Sequence, residues 1–152
     1  MLQSQFFKTA LMSLFFGCYA NTVPAAQSLD SNETAIVSWS EANVEEAIDL
    51  LEKLVNINSG TLNVQGVRDV GVVLRAELDA LDFQTRWIDQ PVAMRRGGHL
   101  FGNHEGDRGK KILLIGHLDT VFEPDEAFQT FVREGSKATG PGVEDMKSGD
   151  VI

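Results

Sequence analysis

Hydrophobic positions divide the chain into an apolar leader, two amphipathic helical stretches and a series of short strand-like runs. From Val44, the residues Val44, Ala47, Ile48, Leu51, Leu54 and Val55 recur every three to four positions. That period predicts a helix ending near Asn56. Ser38-Trp39-Ser40-Glu41 precedes it with the spacing of a capping box, a hydroxyl at the cap and a carboxylate three residues on. Asn58-Ser59-Gly60 breaks the chain, and Asn63 is placed to cap a second helix. Its buried stripe is expected to be Val67, Val70, Leu74, Leu78 and Leu81, interrupted by the helix-weakening Gly71.

Strand patterns follow. Phe83, Thr85 and Trp87 alternate with Gln84, Arg86 and Ile88, and Leu100–Asn103 forms a second run after the Arg95-Arg96-Gly97-Gly98 turn. Ile112-Leu113-Leu114-Ile115 is apolar on both faces, the pattern expected of a central strand covered on both sides. Thr130–Arg133 and Lys137–Thr139 flank Glu134-Gly135-Ser136 and predict a small hairpin. Helices followed by strands around one buried strand predict an α/β layered domain. No internal repeat is evident.

The leader carries an address. A mixed stretch ending in Lys8 is followed by the apolar run Thr9–Ala20 and the small residues of Val23-Pro24-Ala25-Ala26. This order predicts a secretory signal peptide over residues 1–26, cleaved after Ala25 or Ala26, and a secreted or periplasmic product. The apolar run is short for a bilayer span, which takes about 20 residues. A lipoprotein signal with Cys18 lipidated is the competing reading, poorly matched by bulky Phe15 and Phe16, and a buried core helix is the bland one. The Ser- and Asn-rich residues 27–37 are expected to be a flexible mature N-terminus, and 38–152 the folded part.

Composition narrows the chemistry. The 152 residues carry a formal net charge of -9, and loss of the leader, whose one charged residue is Lys8, makes the chain more acidic still. Nucleic acid is therefore not an expected partner, since phosphate contacts need clustered Lys and Arg. No membrane contact is expected after cleavage. Cys18 is the one cysteine, so the mature chain has no thiolate site, and a metal would be held by His, Asp and Glu.

Two short segments have the residue types for metal chemistry. The buried strand is expected to end in Gly116-His117-Leu118-Asp119-Thr120, and ligands of α/β sheets bind beyond the carboxyl ends of strands. Alternation puts His117 and Asp119 on one side. At that spacing the carboxylate can accept from one imidazole nitrogen and fix the other in its metal-binding tautomer. A lone His-x-Asp is equally a satisfied strand-end histidine. The second segment, Gly140-Pro141-Gly142-Val143-Glu144-Asp145-Met146-Lys147-Ser148-Gly149, crowds two carboxylates into a glycine-flanked turn, which a divalent cation would stabilise. A solvated surface turn fits it as well.

Taken together and in order, these two segments resemble the paired metal motifs of the zinc peptidases of family M20, which includes glutamate carboxypeptidases and aminoacylases. Leu51–Thr61 is similar to the first helix and turn of the bacterial glutamate carboxypeptidase branch, so the resemblance covers about residues 40–152. It implies a catalytic domain with a central mixed sheet and flanking helices. It implies two Zn2+ per complete site, with Co2+ as the substitute metal. His117 is implied to be a terminal ligand of one zinc and Asp145 the carboxylate bridging both, followed by a cis peptide to Met146. Asp119 is implied to be the catalytic-site carboxylate that orients His117; Glu144 takes no ligand role. The implied activity is peptide or amide hydrolysis, with release of C-terminal glutamate favoured, on a small peptide or N-acyl amino acid. Aminoacylase, dipeptidase and deacetylase chemistry remain alternatives.

The same resemblance puts the catalytic glutamate, the remaining ligands and the lid domain, through which a homodimer would form, beyond Ile152. Lys147–Ile152 reads as the opening turn of a helix. The chain is therefore expected to be an N-terminal part that neither binds zinc tightly nor catalyses alone, and a non-catalytic module is the rival. A phosphate-binding loop at Lys147-Ser148 fails, because Pro141 and Met146 occupy its two glycine positions. His99, His104 and Arg95-Arg96 are expected to be surface residues.

Overall fold

The computed structural model describes residues 28–151. The expected signal peptide, with Cys18, lies outside them. Among the described residues no helix is long and apolar enough to cross a membrane.

Helix α1 spans Ser31–Ala42. Its cap is Asp30, whose carboxylate accepts from the Asn32 and Glu33 amides at 2.7 and 2.8 Å while Glu33 reaches back to the Asp30 amide. This corrects the expected start at Ser38. Ser38–Glu41 lies inside the helix, and the true capping box is Asp30–Glu33, with a carboxylate where the sequence reading sought a hydroxyl. Residues Ser31–Val37, expected to be flexible, form its first turns, and no residue of α1 is buried.

Helix α2, Val44–Val55, follows a one-residue break at Asn43 and ends at Asn56. Leu54 and Val55 are fully buried, whereas Val44 at the far end is 47% exposed. The stripe is thus sealed at its C-terminal end. Helix α3, Val64–Ala80, is capped by Asn63, whose side chain accepts from the Gly66 amide at 3.1 Å. Val67, Val70 and Leu74 are buried, and Leu54, Val70 and Leu74 form the core with Leu50, Ile57, Leu100 and Leu118 packed around them. Leu81, expected in the stripe, is the C-cap and is exposed. Gly71 has a packing reason: a Cβ there would lie 2.4 Å from the Trp87 ring.

Trp87 belongs to β1, Gln84–Ile88, which pairs antiparallel with β2, His99–Asn103. The second hairpin joins β3, Val132–Glu134, to β4, Lys137–Thr139, around Gly135 at φ 61°. Arg133 of β3 clamps Glu45 of α2 with two bonds of 2.7 and 2.9 Å. A short helix α4, Lys147–Val151, closes the described chain where the opening turn of a helix was expected.

The architecture is mixed helix and strand, consistent with α/β, but its sheets are two separate hairpins rather than one central mixed sheet. Ile112–Ile115 is the main departure. These four residues form no strand, and their exposures run from 80 to 87%. A strand is made by its ladder, and β1–β2 and β3–β4 pair only within themselves. Among the described residues nothing pairs with this segment, so its apolar pattern has no neighbour to bury against.

Candidate metal centre

The C-terminal end of α2 organises the site. Directly after it, Ser59-Gly60-Thr61 runs alongside the residues following His117. The Thr120 amide donates to the Ser59 carbonyl at 2.9 Å, and the Thr61 amide donates to the Thr120 carbonyl at 3.0 Å. Gly60 is required here, since a Cβ would lie 2.8 Å from the Glu123 Cα and from the Phe122 carbonyl oxygen. On the other side, Lys147 is fully buried and donates from Nζ to the carbonyls of Leu54 (2.7 Å) and Ile57 (2.9 Å). Leu54 lies in the last turn of α2, whose carbonyls lack the usual donor one turn on, Ile57 lies just beyond the cap, and a cation there also suits the helix dipole. Burial pulls the Lys147 amine down to about 8, with Asp150 opposing the shift.

Lys147 thereby pins the loop that carries Asp145. The Asp145–Met146 peptide is cis. Asp145 Oδ1 lies 3.0 Å from His117 Nε2, although 28 residues separate them. The imidazole's other nitrogen, Nδ1, lies 3.0 Å from the Asp119 carbonyl oxygen and 3.3 Å from Asp119 Oδ1. Asp119 Oδ2 accepts from the Thr61 hydroxyl at 2.7 Å.

Both imidazole nitrogens therefore face oxygens that only accept. A neutral imidazole has one N–H, so it satisfies one side and leaves the other as lone pair against lone pair. Without a metal, a proton must fill the second gap. Burial lowers the His117 pKa, but the bond to Asp145 and the Asp119 carbonyl and carboxylate outweigh it, and the net shift is upward. A divalent cation can take that proton's place. Two ligand atoms each about 2 Å from one zinc stand about 3.3 Å apart, close to the Nε2–Oδ1 separation seen here. The pair fits a metal; the Nδ1 side, with its carbonyl and carboxylate, fits the outer partner that fixes the tautomer. Among the described residues no group of three or more His, Cys, Asp or Glu is arranged to hold a metal ion. His117 and Asp145 are what this part of the chain offers.

The pair opens onto a cavity of about 480 Å³. Asp119, Glu144 and Asp145 make one side acidic, and Phe122, Phe128 and Val143 line an apolar side. The two phenyl rings meet edge to face, 5.1 Å apart. No Lys or Arg is among the described residues lining it.

His99 and His104 stay outside. His99 is exposed beside Gln90, and His104 stacks on Phe83 at 5.3 Å. Sequence reasoning missed Thr61, Lys147 and Asp150. Asp150 sits so close to Gly116 that a Cβ there would fall 2.4 Å from its Oδ1; burial raises its carboxyl to about 6. No local pattern marks these residues, because their partners are 58 and 93 positions away for Thr61 and Lys147.

No family model matches the chain. It is 34% identical over 148 residues to carboxypeptidase G2 of Pseudomonas sp. (strain RS-16), covering 95% of this chain and 34% of that protein. It is 30% identical over 108 residues to a protein provisionally named succinyl-diaminopimelate desuccinylase DapE of Mycobacterium tuberculosis, in strains CDC 1551 / Oshkosh and ATCC 25618 / H37Rv, covering 70% of this chain and 27% of that protein. The chain spans about a third of the length of the curated relatives it matches. Both relatives are hydrolases by name, and the chain belongs to peptidase family M20, on its glutamate carboxypeptidase-like side.

Proposed function

We propose that this chain is part of a zinc-dependent amide hydrolase, with His117 and Asp145 as metal ligands and Asp119 as the carboxylate that orients His117. One observation carries the reading: two atoms able to ligate a metal, His117 Nε2 and Asp145 Oδ1, face each other at 3.0 Å at the mouth of a cavity. A proton can hold such a pair together, and a divalent cation can take the proton's place.

When bound, zinc supplies Lewis acidity to a water and to the substrate carbonyl. The chain's own residues do the rest of the local work. Asp119 accepts from Nδ1–H through its backbone carbonyl, with its carboxylate 3.3 Å from the same nitrogen, and so keeps the lone pair on Nε2. Asp145 is largely exposed and engages His117 through Oδ1; as the carboxylate implied to be shared by both metals, it would help to hold a second zinc. Two ligands fall short of the three that a catalytic zinc takes from protein. The chain by itself accordingly holds zinc weakly and does not turn over, and the proton acceptor for the attacking water is none of these three residues.

The substrate class follows from the cavity. The acidic side suits the metal, the Phe122–Phe128 wall suits an apolar acyl or side-chain group, and a substrate carboxylate would be held by groups outside this lining, which carries no Lys or Arg among the described residues. A small peptide or N-acyl amino acid fits, and the similarity to a carboxypeptidase over nearly the whole chain favours an exopeptidase releasing C-terminal glutamate. The desuccinylase relative supports N-acyl amide hydrolysis as the second reading. Secretion through residues 1–26 and a homodimeric complete protein complete the proposal.

Zinc content of the full-length protein, measured beside His117→Ala and Asp145→Ala, tests the reading. Loss of metal in both variants is expected. Metal content unchanged by either substitution would rule the assignment out.

A further inference from the structure

We infer that Thr61 is a positioning residue for the metal centre, acting through Asp119 on His117; the inference rests on the metal reading above. The Thr61 hydroxyl has one proton and two acceptors in reach, Asp119 Oδ2 at 2.7 Å and the Thr120 carbonyl at 3.2 Å. The shorter contact is to a charged oxygen and takes the proton, as charge-assisted bonds are the stronger ones. Asp119 is then held at both ends. Oδ2 is tied to Thr61, and Oδ1 is turned toward His117 Nδ1 at 3.3 Å.

This matters because the last torsion of an aspartate is broad, with little intrinsic preference for one angle. Asp119, whose side chain is 34% exposed, would otherwise turn its carboxylate toward solvent and leave Nδ1 with the backbone carbonyl alone. The hydroxyl, unlike the backbone, is not needed to join the two segments. The Thr61 amide and the Ser59 carbonyl already bond to Thr120. The side chain's bond is therefore spent on the carboxylate, and through it on the tautomer and aim of the ligand. Thr61 also lines the cavity beside His117 and Asp119, so the hydroxyl and the ligands share one wall.

Imidazole 15N NMR of the metal-free chain at fixed pH, followed by addition of Zn2+, tests this in the parent, Thr61→Val and Thr61→Ser. Thr61→Val keeps the branched shape and the backbone bonds and removes only the hydroxyl; circular dichroism reports whether the helices persist, and Thr61→Ala reports the same loss should the valine variant not fold. The His117 Nδ1 resonance is expected to move in Thr61→Val and to return in Thr61→Ser. Zinc is expected to bind the valine variant about tenfold more weakly, the usual cost of losing an outer partner, with the serine variant restored. An Nδ1 resonance unmoved in Thr61→Val, or a change that serine does not reverse, overturns the inference. Two ligands give weak uptake, so where the parent takes up no measurable zinc the Nδ1 resonance alone decides the role of Thr61, and the zinc content of the full-length protein decides the metal reading separately.

Discussion

Lys147 Nζ donates to the Leu54 carbonyl oxygen at 2.7 Å, across 93 residues of sequence. With the matching bond to Ile57, this fully buried amine joins the end of α2 to the loop that carries Asp145. The Ile57 carbonyl has no other donor among the described hydrogen bonds, whereas the Leu54 carbonyl also accepts from the Ile57 amide at 3.2 Å. Lys147→Met should therefore destabilise the chain by about 1–3 kcal/mol, the cost of stranding a buried acceptor. Its pH dependence has a definite sign. The folded amine titrates near 8 against an ordinary 10.5, so between those values the unfolded chain binds the extra proton and stability rises with pH. Urea unfolding from pH 8 to 10 should show that rise in the parent and a flatter profile in Lys147→Met.

Asp150 gives the opposite slope in another window. Burial raises its carboxyl to about 6 from 3.8, and its Oδ2 is buried without a partner. Between those values the folded chain holds the proton and the unfolded chain does not, so stability falls as pH rises through the interval. Asp150→Asn should remove a loss on the order of 1 kcal/mol between pH 4 and 6. Denaturant midpoints for the two proteins across that interval decide it.

Gly66 reverses an ordinary rule. Alanine within a helix is usually better than glycine by about 1 kcal/mol. Here an added Cβ would fall 1.8 Å from the Asn58 carbonyl oxygen, which is backbone of the turn leading to Thr61. Gly66→Ala should cost about 2 kcal/mol or more instead. A stability equal to the parent in thermal or urea unfolding would show that the turn can move aside.

His117 should hold its proton more tightly than a free imidazole. In the metal-free chain an NMR titration should place its midpoint above 6.5, and Asp145→Asn should bring it back down. A raised folded value contributes stability that is complete below the unfolded pKa and lost as pH climbs through the folded one. A midpoint at or below the ordinary value would mean that Asp145 does not face the ring in solution.

The sequence by itself determined the local elements and the chemistry-bearing residues. Helix period placed the buried faces of α2 and α3, and Asn63 marked its own cap; alternation marked β1, and a glycine turn marked the β3–β4 hairpin. These are interactions within a few residues, so their signal is local. The two metal motifs were legible as residue types. Their meeting was not, because His117 and Asp145 are brought together by a buried lysine, a bridge from Gly60 to Thr120 and a hydroxyl on Asp119, all made between distant segments. Tertiary structure also decided the fate of Ile112–Ile115. Its apolar pattern states a preference for burial, but burial of a strand is supplied by neighbours, and the described residues supply none. The start of α1 has a related cause: Asp30 and Ser38 both have cap chemistry, and which one begins the helix depends on the backbone that follows.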